Sequence, residues 1–327
     1  MARHPWVAKA DDGVRFGIQL CAEDGRRNAM DRDIKANPYD ALMESGKLVD
    51  QLGFDGLFIY DHPGQAPDPW VWLSGLASVT ENVMLGSVVN CVFHRYPTYL
   101  ARLATDLDHL SGGRLMLGLG IGYLPGEFKL LGVEFMPDRD RFRALEEVVQ
   151  IILGSWGEEP FSFSGEYYQV ENIRVLPPPV QERPPIMIAG AGERVTLRQV
   201  AKWADACNFN RATTPEQTRH KLEVLKRHCD DLGRDYDEIL KTDFTGWLIM
   251  APTERELQDK IASFFPGGVP DSLDYLGVTA GTPEQIAERF QQYVDAGIQY
   301  FVVQLVNGSD RETIQLLADE VAPALKG

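Results

Sequence analysis

Residues 85–123 read LGSVVNCVFHRYPTYLARLATDLDHLSGGRLMLGLGIGY, and the spacing of their apolar residues changes twice. Residues 83–90 and 114–120 are almost continuously apolar, as is typical of parallel strands that are covered on both faces. Between them, leucines recur at positions 100, 103, 107 and 110, a spacing that predicts an amphipathic helix over residues 98–110. The stretch is therefore predicted to form a strand–helix–strand unit.

The same alternation is found along the whole chain of 327 residues. Eight strand-then-helix units predict an α/β protein with a single domain over residues 1–327, folded as a (β/α)8 TIM barrel. An open, doubly wound sheet is the alternative that the pattern leaves. The predicted strands are residues 14–20, 53–60, 83–90, 114–120, 185–189, 206–210, 244–250 and 300–306, and the predicted helices are residues 39–52, 98–110, 139–153, 195–203, 216–232, 283–296 and 311–321.

Three segments do not follow this repeat. Residues 1–12 are polar and are expected to form an N-terminal tail. Residues 160–184 combine a hairpin-like alternation around Gly165 with a run of prolines, and residues 264–281 are rich in Gly, Pro and Asp. Because long loops of a barrel often cover its site, residues 264–281 are expected to act as a lid loop, with a solvent-exposed excursion as the alternative.

The composition excludes several classes of function. The chain has 32 Lys and Arg against 48 Asp and Glu, a net charge of −16, which disfavours nucleic acid and membrane surfaces as partners. The four cysteines are far apart and have no metal-ligand spacing, so we expect neither disulfides nor a metal. No apolar stretch reaches the ~18 residues of a membrane span, and no signal peptide is recognisable. We therefore expect a cytoplasmic protein that acts on a small molecule.

The residues just beyond the predicted strands are the candidates for a site, because TIM barrels build their active sites at the carboxyl ends of the strands. Asp61 and His62 follow the second predicted strand. A histidine there can exchange a proton near neutral pH, and Asp61 could tune this histidine or the loop. The alternative is that His62 only fixes the loop through hydrogen bonds.

Two glycine clusters, residues 118–122 and 190–192, lie where a strand gives way to a loop. Glycine lets the backbone approach a ligand closely, and the amides that begin the helix after Gly192 form a natural anion site. Simple packing turns are the alternative. The sequence contains no G-x-G-x-x-G, G-x-S-x-G, H-E-x-x-H or Walker motif. A chemically difficult reaction would therefore depend on an organic cofactor.

Four segments in this order resemble the luciferase-like flavin and deazaflavin oxidoreductases. They are residues 85–123, ALEEVVQIILGSW at 144–156, PPIMIAGAGERVTLRQVAKWADACN at 184–208, and GTPEQIAERFQQYVDAGIQYFVVQL at 281–305. The resemblance covers residues 16–323 and implies a (β/α)8 barrel that binds coenzyme F420 for hydride transfer or FMN for oxygen-dependent monooxygenation. The Asp61–His62 pair is similar to the deazaflavin branch, which favours F420. A luciferase-like FMN monooxygenase and a non-catalytic flavin-binding protein are the alternatives.

The resemblance also implies roles for individual residues. His62 would face the reactive ring and handle the proton, with Asp61 beside it. Val88, Val89 and Asn90 would back the ring, in a place where the branch often has a non-prolyl cis peptide. The side chain of the cofactor would be lined by Gly120, Gly122 and Tyr123, and its phosphate would be held by Ala189, Gly190, Ala191, Gly192, Glu193 and Arg194.

Further expectations come from the same resemblance. The sugar-phosphate dehydrogenases of the branch have an acidic residue in place of Tyr123, so a sugar phosphate is disfavoured as the substrate. The anionic tail of F420 would need positive charge from residues such as Arg95, Arg194 or Arg198. A homodimer is expected, as is usual in this family.

Overall fold

A computed structural model describes residues 3–20, 38–64, 66–209, 213–265, 277–308 and 310–326. The strands are β1 (Arg15–Leu20), β2 (Gly56–Ile59), β3 (Met84–Cys91), β4 (Leu115–Gly120), β5 (Phe161–Ser164), β6 (Gln169–Ile173), β7 (Ile186–Ala189), β8 (Ala206–Phe209), β9 (Leu240–Met250), β10 (Val278–Gly281) and β11 (Tyr300–Leu305). The helices are α1 (Pro5–Ala8), α2 (Pro38–Gln51), α3 (Pro69–Ala77), α4 (Pro97–Ser111), α5 (Pro125–Leu131), α6 (Asp138–Ser155), α7 (Thr196–Trp203), α8 (Pro215–Leu232), α9 (Glu254–Phe264), α10 (Pro283–Asp295), α11 (Arg311–Leu316) and α12 (Ala322–Ala324).

Eight parallel strands form a closed ring. Their order is β1-β2-β3-β4-β7-β8-β9-β11, and the pairing of β11 with β1 completes the circle. Each predicted strand overlaps one strand of this ring. The predicted (β/α)8 barrel is therefore confirmed, and the open doubly wound sheet is wrong.

A further strand, β10, pairs in parallel with the second half of β9, where Val278 lies opposite Trp247. This strand covers the end of the segment that we expected to be a lid loop. Phe264, the first residue of that segment, belongs to α9. Residues 266–276, the middle of the segment, lie outside the described residues. The lid therefore stays a prediction.

The excursion at residues 160–184 begins with an antiparallel hairpin of β5 and β6. The Glu147 carboxylate on α6 fixes its turn, because it accepts backbone N–H bonds from Glu166, Tyr167 and Tyr168 at 2.7, 3.0 and 3.0 Å. A buried or semi-buried carboxylate that accepts several amides is a strong local anchor. The hairpin is therefore tied to the outer helices of the barrel.

The N-terminal segment is not the polar tail that we expected. Trp6 and Val7 on α1 are buried and pack into the amino end of the barrel with the interior side chains of the strands. The indole N–H of Trp6 donates to Asp55 at 2.7 Å, and its ring packs edge-on against Tyr300 with centroids 5.7 Å apart. Arg15 donates to the same Asp55 and to the Trp6 carbonyl. The burial of one large aromatic residue thus holds the segment against the barrel, although most residues around it are polar.

None of the helices in the described ranges is long and apolar enough to cross a membrane.

Replacing Trp6 with alanine is expected to lower the free energy of unfolding by about 3–5 kcal/mol, because it leaves a cavity at the amino end of the barrel. Chemical denaturation followed by circular dichroism would measure this loss. Val71→Ala, at a side chain that is 62% exposed, is the control and should change stability by about 0.5 kcal/mol or less. Equal, small effects of both substitutions would show that α1 does not plug the barrel.

Candidate active site

The candidate site lies at the carboxyl ends of β2, β3, β4 and β7, which are consecutive neighbours in the ring. His62 comes three residues after the end of β2. Its Nδ1 lies 2.7 Å from Oε1 of Glu127, which is on α5 after β4. The Glu127 side chain is only 7% exposed, whereas that of His62 is 26% exposed. A buried carboxylate thus holds an imidazole that is still open to a ligand.

Two aromatic rings frame the His62 imidazole. The ring of Tyr60 lies 5.4 Å away, and the ring of Tyr123 packs edge-on at 6.0 Å with an interplanar angle of 88°. Tyr123 is 70% exposed and offers a large apolar face at the rim. The surroundings of His62 therefore suit an apolar or aromatic ligand better than a highly charged one.

The Asp61 carboxylate bonds to the loop between β3 and α4. It accepts from Arg95 at 2.8 Å, from the His94 ring at 3.2 Å and from the backbone N–H of Cys91 at 3.3 Å. Arg95 also donates to Asp68 at 2.6 Å. The sequence left two roles for Asp61, to tune His62 or to fix the loop, and these contacts support the second. Arg95 is engaged by two carboxylates, so it is a poor source of charge for a cofactor tail.

The buried ion pairs around Asp61 shift the titration of their members. Burial alone would lower the pKa of His94, but its contacts with Asp61 and Cys91 outweigh burial and raise the pKa to about 9. Burial would raise the pKa of Asp61, yet the hydrogen bonds and charges of His94 and Arg95 hold that pKa below its ordinary value. His94 is therefore a cation at neutral pH and stabilises the loop through Asp61.

The wall between β3 and β4 is unusually tight. The Val88–Val89 peptide bond is cis, as the family resemblance implies for this place. The Gln19 amide donates to the Val88 carbonyl at 2.6 Å, and the Asn90 amide donates to the Gly118 carbonyl at 3.0 Å. A Cβ on Gly120 would lie 2.7 Å from the Val89 side chain, so glycine is needed for this contact. Val88 and Val89 thus form a fixed apolar shelf in the barrel wall.

The loop after β7 lies beside a shallow cavity of about 460 Å³ that is open to the surface. Gly190 has a φ of +123°, which a residue with a side chain rarely adopts. No side chain caps the amino end of α7, although the Leu197 N–H there already donates to the Gly192 carbonyl at 3.0 Å. Residues 191–196 line the cavity together with Phe142 and Lys221.

Lys221 and Glu193 complete this cavity. Lys221 on α8 donates to the Ala191 carbonyl at 2.9 Å and lies 3.6 Å from the Glu193 carboxylate, which also pairs with His220 at 3.3 Å. Glu193 therefore contacts Lys221 and His220 on α8 through its side chain, while Arg194 is exposed. Lys221 was not predicted from the sequence, since nothing in a helical pattern indicates which loop its side chain will contact.

Residues 15–275 match the family described as luciferase-like monooxygenase. The chain belongs to this family.

This luciferase-like chain is 26% identical over 319 residues to the F420-dependent glucose-6-phosphate dehydrogenase of Microbacterium testaceum, with 87% of this chain and 93% of the relative covered. It is 28% identical over 317 residues to the enzyme of the same name from Kineococcus radiotolerans, with 86% and 93% covered. The coenzyme F420 dependent tetrahydromethanopterin reductase from Methanopyrus kandleri has the same fold, with a TM-score of 0.77, 19% identity, and 96% and 100% of the chains covered.

The structure of this luciferase-like chain brings the predicted residues to one rim, in two groups. The first group is on β2, β3, β4 and the loops after them: His62 with Tyr123 against its ring, Asp61 bonded to the loop after β3, and the shelf of Val88 and Val89. The second group, residues 189–194, lies at the end of β7, the strand next to β4 in the ring, and on the loop that follows it. The residue that sequence reasoning missed at the first group is Glu127. A glutamate in the first turn of α5, a short helix that was not predicted from the sequence, gives no signal by itself.

His94 gives this luciferase-like chain a testable pH dependence. Because the pKa of His94 is raised to about 9, its stabilising effect is complete below pH 6.5 and is lost as the pH rises toward 9. The excess stability of the wild type over His94→Asn should therefore shrink by about 3 kcal/mol across this range. Denaturant unfolding at several pH values measures it.

The control is His220→Asn, at an exposed histidine, whose difference from the wild type should not follow this trend. A gap between wild type and His94→Asn that stayed constant or widened with pH would contradict the assignment of His94 as a buried cation.

Proposed function

We propose that this protein is a coenzyme F420-dependent oxidoreductase that transfers a hydride between the deazaflavin and a small organic substrate. The observation that carries the proposal is His62, which is held at the rim by Glu127 at 2.7 Å and is framed by two tyrosines. Two relatives with 26% and 28% identity, each aligned over most of its length, are named as F420-dependent dehydrogenases. The Asp61–His62 pair supports the same branch.

The described residues fit a cofactor with a flat ring and a phosphate. Val88 and Val89 offer an apolar shelf for the ring, and Lys221 on α8, beside the loop after β7, offers a cation for the phosphate. A Cβ on Gly192 would lie 2.8 Å from the Thr196 hydroxyl, so the missing side chain keeps this cradle open. These residues, together with Asn90, Gly120 and Gly122, would hold F420.

When it is bound, F420 supplies a carbon centre that accepts or releases a hydride. The chain then has three tasks: to hold the substrate against the ring, to exclude water and to move a proton. Nε2 of His62 takes the proton from the substrate, or returns it, as the hydride moves. Tyr60 and Tyr123 keep water from the apolar side of the imidazole.

We propose an uncharged, largely apolar substrate rather than the sugar phosphate in the names of the relatives. The supporting observation is Tyr123, whose ring packs edge-on against His62 and is 70% exposed. A phosphorylated sugar would gain little from such a surface.

A luciferase-like monooxygenase that uses reduced FMN and oxygen is the second candidate, because the family description itself names monooxygenases. The homodimer and the cytoplasmic location also remain proposals. Light scattering that gave the mass of one chain, 36.6 kDa, would contradict the homodimer.

Titration of the purified protein with F420 should quench its tryptophan fluorescence at micromolar concentration, and FMN should bind more weakly. With a panel of apolar alcohols and ketones, His62→Asn should lower the rate of F420 turnover by about 10²–10⁴-fold and should leave F420 affinity nearly unchanged. Micromolar FMN binding with oxygen consumption would replace the lead proposal with the monooxygenase. Tight F420 binding without turnover of any substrate would indicate a binding protein.

Lys221→Gln should weaken F420 binding by about tenfold, because one charge-assisted contact to the phosphate is lost. The matched control is Lys226→Gln, which removes the same charge from an exposed position of the same helix and should not change the affinity. Fluorescence titration measures both. If the two variants bound F420 as the wild type does, the phosphate would not lie at the loop after β7.

A further inference from the structure

We propose that Glu127 is a positioning residue that fixes the proton of the neutral His62 ring on Nδ1, so that Nε2 is the atom that exchanges a proton with the substrate. This inference rests on the proposed function. It assigns to Glu127 the task that the sequence alone suggested for Asp61.

The contact itself sets the direction of the hydrogen bond. Oε1 of Glu127 lies 2.7 Å from Nδ1 of His62. A carboxylate can only accept a hydrogen bond, so Nδ1 must carry the hydrogen. A neutral imidazole then has its lone pair on Nε2, and this nitrogen can act as a proton acceptor.

Burial distinguishes the two edges of the imidazole. The Glu127 side chain is 7% exposed, so the Nδ1 edge of His62 faces the protein interior. The His62 side chain is 26% exposed in total, and we infer that this exposed part is the opposite edge, which carries Nε2. Tyr60 and Tyr123 contact the ring and restrict its rotation. The proton-exchanging atom therefore faces the side from which a substrate approaches.

Asp61 does not perform this task although it is next to His62 in the sequence. Its carboxylate is engaged by Arg95 and His94 and is 1% exposed. Glu127, which lies 65 residues further along the chain, reaches His62 because β2 and the segment after β4 meet at the same rim. The two carboxylates thus have separate tasks: Asp61 holds the loop and Glu127 orients the imidazole.

The position of the proton matters for the balance of the reaction. In oxidation of an alcohol, the C–H bond breaks and its electron pair leaves with the hydrogen as hydride to the deazaflavin. The O–H bond breaks, its proton passes to Nε2 of His62, and the C=O bond forms. The imidazole becomes a cation, and the Glu127 carboxylate stabilises it. With the hydrogen on Nε2 instead, the ring has no lone pair at the atom that faces the substrate.

The first test does not need the cofactor. Nitrogen-15 NMR of the histidine rings, with His62 assigned through His62→Asn, should show the hydrogen on Nδ1 in the wild type at neutral pH. Glu127→Gln is nearly isosteric, but its amide can also donate, so His62 should become a mixture of both tautomers. Glu134→Gln, at an exposed glutamate soon after α5, is the matched control and should leave His62 unchanged.

The second test measures turnover of F420 with the best substrate of the panel. Glu127→Gln should lower kcat by about 10–100-fold, while KM and F420 affinity should change by less than about threefold. Glu127→Asp, which keeps the carboxylate, should recover part of kcat and the wild-type tautomer. This rescue separates positioning from a general loss of packing, and it also covers the case in which Glu127→Gln folds poorly.

An unchanged tautomer in Glu127→Gln, or equal kcat values for Glu127→Gln and the wild type, would overturn the inference. A failure of the proposed function has a different signature. In that case the wild type would not turn over F420, yet the tautomer would still depend on Glu127.

Discussion

The closed ring of parallel strands is the constraint on which the rest of this structure depends. Strands that are buried on both faces have no water to satisfy their N–H and C=O groups, so an unpaired edge would be costly. The pairings of β8 with β9 and of β11 with β1 remove both edges. Because all pairings in the ring are parallel, all carboxyl ends lie at one rim, and that is why His62 after β2 and Glu127 from the segment after β4 can meet.

The rim depends on two carboxylates that are almost fully buried, and each is stabilised by positive or donating groups. Asp61 has Arg95 and His94, and removal of both partners would leave its buried charge without a cation. Glu127 has the imidazole of His62. The fixed loop between β3 and α4 and the oriented imidazole of His62 follow from the same rule, that a buried charge must be paired.

The sequence was sufficient for the elements whose signal is local. Eight apolar runs with helical patterns between them predicted the barrel, because an apolar run indicates by itself that its strand is buried. The α3 segment PWVWLSGLA was missed, since it is apolar on all sides and lacks a helical period; its Trp70, Trp72 and Leu73 are buried. His62 was predictable from its place after a strand. Glu127 and Lys221 were not, because their roles depend on contacts 65 and 30 residues away in the chain.

The net charge of −16 does not decide whether an anionic cofactor can bind, because the relevant quantity is the charge near the site. Salt screens exposed charges beyond about 8–10 Å, so a phosphate at the proposed site would respond mainly to the groups around the loop after β7. The charged groups there are Lys221 and one carboxylate, Glu193, which lies near Lys221 and His220. Arg194 and Arg198, near the beginning of α7, are exposed. The overall acidity therefore disfavours polyanionic macromolecules as partners, while the binding of a small anion at the proposed site would depend on these few residues.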